Sequence, residues 1–243
     1  MVTPIQRHAP TAADAQRELE ALADRDQAEI LSRFFKTGPG EYGERDRFLG
    51  IRVPTLRKKA RDYRALTLDG IADLLRSDLH EIRLFALILM VERCRQKHAG
   101  EAQAVRELYL RSTRFVNNWD LVDLSAPHIV GPVLTGTGNR LLHRLTGAEV
   151  LWERRIGIVG TFHGIRNNTF DATLEAAERL LHDPEDLIHK AVGWMLREVG
   201  KRDMRTEEGF LRRHYPCMPR TMLRYAIERF PEPRRRAYLR GNV

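Results

Sequence analysis

The sequence has little of what would indicate a disulfide framework or a membrane protein. Its two cysteines in 243 residues are too few to staple a fold, which fits a reducing compartment. The longest uninterrupted apolar run, Leu84–Val91, is far shorter than the roughly 20 residues of a transmembrane helix. The first residues contain no apolar segment typical of a signal peptide. We therefore expect a cytoplasmic protein with no membrane partner.

Motifs for metal-dependent or serine-based chemistry are also missing. The nine histidines and two cysteines show neither an HExxH pair nor the spacing of a zinc site, and no GxSxG is present. A segment rich in glycine, residues 37–50, lacks the GK[ST] ending of a phosphate-binding loop. We therefore predict no metal and no cofactor. We interpret residues 37–53 as a loop that is either a solvent-exposed connector or a contact with DNA.

Positive charge is abundant. The chain has 41 Lys and Arg against 33 Asp and Glu, a net charge of +8, and its pI is near 9.9. A pI above about 9 is typical of nucleic-acid binders, although a solvated basic surface gives the same balance. The sequence ends in a basic segment, residues 231–243, which we expect to be an exposed tail.

Helical periodicity runs through nearly the whole chain, and strand signals are almost absent. Thr11 followed by Asp14 predicts a helix start, and Pro54 suits the first turn of another helix. Beyond Pro54, five helix pairs follow one another. Their first helices begin near Thr67, Gly100, Thr137, Thr169 and Arg205, and their second helices begin near Leu79, Asn118, Trp152, Asp186 and Pro219.

Pairs of helices that recur every 32 to 37 residues are typical of a solenoid, in which each pair buries its apolar face against its neighbours. We therefore predict an all-α fold, a curved solenoid of antiparallel helix pairs that forms a single domain over residues 1–243. An irregular helical domain is the alternative, since no sequence signature is common to all five pairs.

One predicted second helix, residues 187–201, has a polar face beside its apolar stripe. Lys190, Trp194, Arg197 and Lys201 follow one another at helical spacing on that face. A tryptophan in a helix is usually a core residue. Among cations, however, it can lie against a sugar or base while the cations hold phosphates.

Arg155 falls on the apolar face of another second helix, whereas Arg154 points elsewhere and is expected to be solvated. An arginine on a buried face needs a partner, because an unpaired buried charge is costly. Either a structural salt bridge or a phosphate contact would supply one.

The segment NNWDLVD contains acidic residues in a basic chain. Asn117 or Asn118 is suited to cap a helix, and the helix dipole favours Asp120 in the first turn. Neither effect accounts for Asp123, which shares a helix face with Trp119.

In a solenoid the equivalent faces of successive second helices adjoin, so we predict that Trp119, Asp123, Arg155 and Trp194 converge on one basic groove. If DNA lies there, Asp123 would repel its phosphates, and an acid that costs binding energy suggests a catalytic role or a bound cation.

Four stretches, FLGIRVP, NNWDLVDLSAP, LWERRIGIVGTF and LIHKAVGWMLREVGKRD, together resemble the AlkD-type DNA alkylation repair proteins. These are DNA glycosylases built of HEAT-like repeats, and the resemblance covers roughly residues 34–230. It implies removal of cationic alkylated purines, such as N3-alkyladenine and N7-alkylguanine, from double-stranded DNA. The partner would then be duplex DNA with alkylated bases, bound by a monomer associated with the nucleoid.

The resemblance also implies roles for individual residues. Asp123 takes the position of the catalytic aspartate, and Trp119 and Trp194 take those of two tryptophans that pack against the deoxyribose. Arg155 takes the position of an arginine that contacts the DNA backbone. We add Lys190, Arg197 and Lys201 as predicted DNA contacts, from their spacing around Trp194.

Two other functions stay open at this stage. Residues 37–50 form a longer loop than in well-understood members of the family, and some relatives bind DNA without excising a base. A noncatalytic protein that recognises branched or distorted DNA would share the basic groove without needing Asp123. A protein-interaction scaffold, the usual role of helical solenoids, would show no salt-dependent affinity for DNA.

Overall fold

The computed structural model describes residues 10–96 and 99–243, which divide into two compact units, Met1–Leu121 and Val122–Val243. The sequence before residue 10, for which we predict no signal peptide, lies outside the described residues. Across the described ranges the secondary structure is helical apart from one isolated bridge between Arg47 and Leu79. No helix in those ranges is long and apolar enough to cross a membrane.

The first unit contains six complete helices and the first turn of a seventh. They are α1 (Ala12–Glu20), α2 (Arg25–Phe34), α3 (Val53–Ala60), α4 (Leu68–Leu75), α5 (His80–Arg95), α6 (Ala99–Arg111) and α7 (Trp119–Ile129). The predicted helix starts at Thr11 and Pro54 are confirmed. Thr11 and Asp14 form a capping box at α1, and Pro54 lies in the first turn of α3.

The second unit contains the rest of α7 and eight further helices. They are α8 (Arg140–Thr146), α9 (Leu151–Gly160), α10 (Phe162–Arg166), α11 (Asp171–Arg179), α12 (Asp186–Gly200), α13 (Met204–His214), α14 (Arg220–Ala226) and α15 (Glu232–Arg240). The first and second helices of the five predicted pairs begin within about three residues of the expected positions. The all-α fold of successive helix pairs is thereby confirmed. Its curvature and its continuity as one domain stay predictions.

Each unit is built around one helix. In the first unit, α5 packs against α3, α4 and α6, and its residues from His80 to Val91 are all buried. The apolar run Leu84–Val91 therefore lies in a core helix. In the second unit, α12 packs against α9, α11, α13 and α14. Its buried stripe runs from Ile188 to Val199 as the helical spacing predicts.

The loop predicted at residues 37–53 is a solvent-exposed connector only in part, and it ends at Arg52 because α3 begins at Val53. The Glu81 side chain of α5, almost fully buried, accepts backbone N–H bonds from Leu49 at 2.8 Å, Gly50 at 2.8 Å and Ile51 at 3.2 Å. These bonds satisfy three donors that would otherwise be costly to bury. The end of the loop is therefore fixed to the centre of the first unit.

Gly50 is needed where this loop passes α2. Its φ is +85°, and a Cβ there would lie 2.1 Å from the carbonyl oxygen of Asp24. We expect Gly50→Ala to lower the free energy of unfolding by about 3 kcal/mol, because backbone strain and overlap add. Gly40→Ala is the matched control, since Gly40 has φ +74° but open space around it. Its cost should be about 1 kcal/mol. Urea unfolding measures both, and equal costs would contradict the steric explanation.

The C-terminal segment, predicted to be an exposed tail, contains helix α15. Tyr238 on this helix is 1% exposed, and its ring packs against Phe230 and Tyr215 with centroid distances of 5.7 Å and 5.5 Å. The prediction of a tail was therefore wrong for residues 232–240. The basic residues on the helix were correctly expected at the surface, where most of them are exposed.

Glu207 of α13 is a buried acid in the second unit, 1% exposed. Burial, helped by the nearby charge of Glu208, raises its pKa from 4.5 to about 8. Between these values the folded protein holds a proton that the unfolded chain has lost, so stability falls as pH rises. We expect wild type to lose about 1.4 kcal/mol per pH unit more than Glu207→Gln between pH 5 and 6.5. Parallel curves of unfolding free energy against pH for the two proteins would refute this.

Candidate functional site

Asp123 on α7 and Arg155 on α9 form a bidentate ion pair. The Arg155 Nε donates to Asp123 Oδ1 at 2.9 Å, and the second guanidinium nitrogen, Nη2, donates to Asp123 Oδ2 at 2.8 Å. Arg155 Nη1 donates to the Leu187 carbonyl oxygen at 2.6 Å. The side chains of Arg155 and Asp123 are 6% and 20% exposed. A fork-to-carboxylate pair of this kind fixes orientation as well as charge, so Asp123 has a set direction.

Of the two partners that the sequence left open for Arg155, the structure shows the salt bridge. Each guanidinium nitrogen already donates to a protein oxygen, and contact with a DNA backbone stays a prediction. The expectation for Arg154 was wrong. It is not solvated, because it pairs with Asp183 at 2.6 Å and donates to the carbonyl oxygens of Ala148 and Glu149.

Trp194 is half-buried on α12. Its indole Nε1 donates to Glu198 Oε1 at 3.2 Å, and its ring lies 5.9 Å from the Phe162 ring, centroid to centroid. The indole hydrogen bond and the Phe162 ring therefore hold Trp194 in place without sealing it from the surface.

The cations predicted around Trp194 are on this face, but carboxylates accompany them. Lys190 pairs with Asp186 at 2.6 Å, Lys201 pairs with Glu198 at 2.6 Å, and Arg197 pairs with Glu228. Ion pairs at the surface are worth only about 0–1 kcal/mol. Phosphates could therefore replace the carboxylates of the two lysines at small cost. Arg197, whose side chain is 17% exposed, is the most enclosed of the three.

Trp119, in the first unit, stands in an aromatic cluster. Its ring stacks on Phe35 with centroids 5.1 Å apart, and Phe34 meets it edge-on at 5.9 Å. The Trp119 Nε1 donates to the Tyr42 hydroxyl at 3.2 Å. Phe34 is 61% exposed, so the cluster presents an open aromatic edge. Tyr42 belongs to the loop at 37–53, and the loop therefore helps to position Trp119.

A family-wide sequence pattern described as DNA alkylation repair enzyme matches residues 15–230. The chain belongs to this DNA alkylation repair family. A predicted DNA alkylation repair enzyme from Enterococcus faecalis has a similar solved structure, with a TM-score of 0.67 and 16% sequence identity over 86% of this chain and 97% of that one. At this identity the likeness shows the fold. No curated protein matches the sequence.

Membership in the DNA alkylation repair family indicates DNA as the partner. The four main site residues predicted from the sequence are divided between the two units. The second unit contains Asp123, Arg155 and Trp194, and the first contains Trp119. The structure brings Asp123 and Arg155 into contact. The convergence of all four residues on one groove stays a prediction. Within the described ranges, no three His, Cys, Asp or Glu side chains are placed to hold a metal ion.

Sequence reasoning missed a buried charged cluster in the first unit of this family member. His80, 1% exposed, lies between two carboxylates, with Nδ1 at 3.0 Å from Asp46 Oδ2 and Nε2 at 2.8 Å from Asp120 Oδ2. Arg83 also donates to Asp46, and Asn118 Nδ2 donates to it at 3.1 Å. We call these five residues the His80 cluster.

The carboxylates keep His80 protonated. Burial opposes the charge, but the hydrogen bonds and charges of Asp120 and Asp46 raise the pKa of His80 from 6.5 to about 9. Burial likewise opposes the charge of Asp46, yet the bonds from His80 and Asn118 and the charge of Arg83 lower its pKa below 3.8. The imidazolium therefore donates one hydrogen bond to the loop at 37–53 and one to the residue after Trp119.

The His80 cluster changes the roles that the sequence predicts for the asparagines and for Asp120 at the start of α7. Asn118 directly precedes α7, and its Oδ1 accepts from the Trp119 backbone N–H at 2.8 Å, which is one residue short of the usual capping bond to the second or third helical residue. The position of Asp120 in the first turn satisfies the helix dipole, as expected, but Asp120 is also a partner of a buried cation. A histidine at the start of the buried helix α5 was the available signal, since a charged group there needs partners.

Proposed function

We propose that this protein is a monofunctional DNA glycosylase that removes cationic alkylated purines, such as N3-alkyladenine and N7-alkylguanine, from duplex DNA. The observation that supports it best is the Asp123 carboxylate, oriented by a buried arginine and still 20% exposed. In a basic chain that acts on DNA, such a carboxylate would weaken binding. A carboxylate in an exposed position would instead favour chemistry at a cationic centre.

The chemistry follows from the charge of the lesion. Alkylation at N3 or N7 makes the purine cationic, so the base leaves as a neutral molecule and needs no general acid. As the glycosidic bond breaks, positive charge develops on the deoxyribose. A fixed carboxylate stabilises that charge and can orient the attacking water, which is the role that carboxylates have in glycoside hydrolysis. Asp123 would be this group. No Schiff-base lysine is involved, so we expect no strand cleavage.

Arg155 would then be a positioning residue. It binds both Asp123 oxygens, but each carboxylate oxygen can accept more than one hydrogen bond. The carboxylate can therefore accept a further hydrogen bond, such as one from the attacking water, while it stays paired with Arg155. The aromatic faces of Trp119 and Trp194 would flank the sugar, since electron-rich indole faces favour a developing positive charge.

DNA binding would use the cations on α12. Lys190 and Lys201 exchange their carboxylates for phosphates, and Arg197 contributes a planar fork suited to a phosphate. The protein would act as a monomer on nucleoid DNA in the cytoplasm.

A noncatalytic DNA-binding function is the second candidate, because Arg155 occupies both oxygens of Asp123, as a purely structural salt bridge would. The two candidates are separated by release of the free base from duplex DNA that carries N7-methylguanine or N3-methyladenine. The glycosylase releases base and leaves an intact strand with an abasic site. Binding of the same duplex without release, matched by equal binding to branched DNA, would favour the second candidate.

A further inference from the structure

The first unit contains a cleft of about 220 Å³ that no step of the proposed excision uses. Arginines from separate elements surround it: Arg45 from the loop at 37–53, Arg76 after α4, and Arg114 from the short turn before α7. Arg83 of α5 and Asn117 line it as well. We call it the arginine cleft.

The inner residues of the cleft carry unmet hydrogen-bonding capacity. Arg83 is 4% exposed. Its terminal nitrogens bond to Asp46 and, at 2.9 Å, to the Ser77 carbonyl oxygen. Its Nε and the Oδ1 of Asn117 are buried and have no partner among the described residues. A buried donor without a partner costs about 1–3 kcal/mol. A bound group that accepts a hydrogen bond from Arg83 Nε would therefore remove this free-energy cost.

The arginines at the mouth are available to a ligand. Arg45 and Arg114 are exposed, and neither has a carboxylate partner within the described ranges. The Arg114 guanidinium lies 4.5 Å from the centre of the Phe115 ring, which restricts its plane. Arg76 pairs at 2.7 Å with Asp73, where both side chains are more than half exposed. Such an exposed pair gives little stability and is easily exchanged for a ligand.

Four arginines line the cleft together with three carboxylates, Glu44, Asp46 and Asp78, so the lining has a formal charge of +1. The Asp46 oxygens are already bonded by the His80 cluster, and Glu44 accepts the Gly40 backbone N–H at 3.1 Å. Asp78 is the remaining acid on the lining. A group with several acceptor oxygens and a negative charge therefore fits the cleft better than a cation or an apolar molecule.

We propose that the arginine cleft is a phosphate-binding site. A phosphate accepts bidentate bonds from planar guanidinium groups, and one of its oxygens can take the Arg83 Nε bond. The phosphate is either that of a DNA strand or a free phosphate. Asn117 comes two residues before Trp119, which gives a strand held here a short path to the candidate site. The proposal does not depend on base release.

The test uses the full-length protein and two probes, inorganic phosphate and an undamaged 12-base-pair duplex, with binding measured by calorimetry at constant ionic strength. The cleft variant is the double substitution Arg45→Gln with Arg114→Gln. The control is Arg57→Gln with Arg61→Gln, which removes the same charge from two exposed arginines outside the cleft. Both variants should keep the wild-type melting temperature, because all four side chains are exposed.

We expect the cleft variant to lose at least tenfold in phosphate affinity, and the control to change less than twofold. If the DNA affinity of the cleft variant also falls tenfold below that of the control, the bound group is a phosphate of a DNA strand. In that case the slope of log affinity against log salt concentration should fall by the equivalent of about one to two phosphate contacts. Loss of phosphate binding alone identifies a free phosphate. Equal affinities of the cleft variant and the control for both probes would overturn the proposal. Base release by wild type, measured separately, tests the glycosylase.

Discussion

Asp123→Asn is expected to reduce release of N7-methylguanine and N3-methyladenine by at least about 100-fold, the loss typical when one preorganised electrostatic group is removed. The amide is nearly the same size as the carboxylate but has no charge to stabilise the developing cation on the sugar. DNA binding should be retained or strengthened, because a negative charge near the phosphates is removed. Single-turnover release from a lesion-bearing duplex, with affinity measured on the same duplex, checks both parts.

The substitution also affects Arg155, and this effect has to be separated from catalysis. The new amide nitrogen would face one of the guanidinium nitrogens that now donate to Asp123. Leaving a buried arginine partly unpaired costs several kcal/mol at most. The melting temperature of the variant should therefore fall, and release should be measured well below it. A folded variant that binds DNA but does not excise is the expected outcome.

A matched control is available on α12. Asp186→Asn makes the same chemical change at a carboxylate that is 56% exposed, pairs with Lys190 and accepts a hydrogen bond from Thr221. It should leave base release within about twofold of wild type while raising DNA affinity slightly, because one negative charge beside Lys190 is removed. Excision by Asp123→Asn at the rate of this control would contradict the catalytic assignment.

The helix pairs could be predicted from the sequence because their signals are local. Apolar spacing, a capping box at Thr11 and a proline in the first turn of α3 depend on residues three or four apart. The burial of Arg155 could be predicted in the same way, from its place on the apolar face of α9. Each of these inferences needs one helix and its periodicity, and nothing from elsewhere in the chain.

Partners that come from distant segments could not be predicted. His80 is 34 residues from Asp46 and 40 from Asp120, and Arg197 is 31 from Glu228. No periodicity connects such positions. The contact of the loop at 37–53 with His80 and the pairing of Arg197 with Glu228 can therefore be seen only in the folded structure. Glu198 is different, because it follows Trp194 by four residues and precedes Lys201 by three. That spacing places an acid on the face expected to be basic, so the contacts of Glu198 with Trp194 and Lys201 could have been predicted from the sequence.

His80→Gln is expected to lower the free energy of unfolding by roughly 3 kcal/mol at pH 6.5, because two carboxylates lose a buried cation. The direction of its pH dependence follows from the raised pKa. The folded value is about 9 and the unfolded one 6.5, so the stabilisation is complete below pH 6.5 and is lost as pH rises through 9. The gap of 2.5 units corresponds to about 3 kcal/mol, which agrees with the cost expected for removing the charge.

The difference in unfolding free energy between wild type and His80→Gln should therefore be large at pH 6.5 and close to zero at pH 10. Taking the difference cancels the separate contribution of Glu207, which both proteins share. His182→Gln is the control, since His182 is exposed, and its difference from wild type should stay near zero at every pH. A constant difference for His80→Gln would mean that packing against Phe35 and Phe48, and not charge, accounts for the role of His80. A difference that closes with pH would show that the charge of His80 stabilises the folded first unit, in which His80 joins Asp46 of the loop to Asp120 of α7.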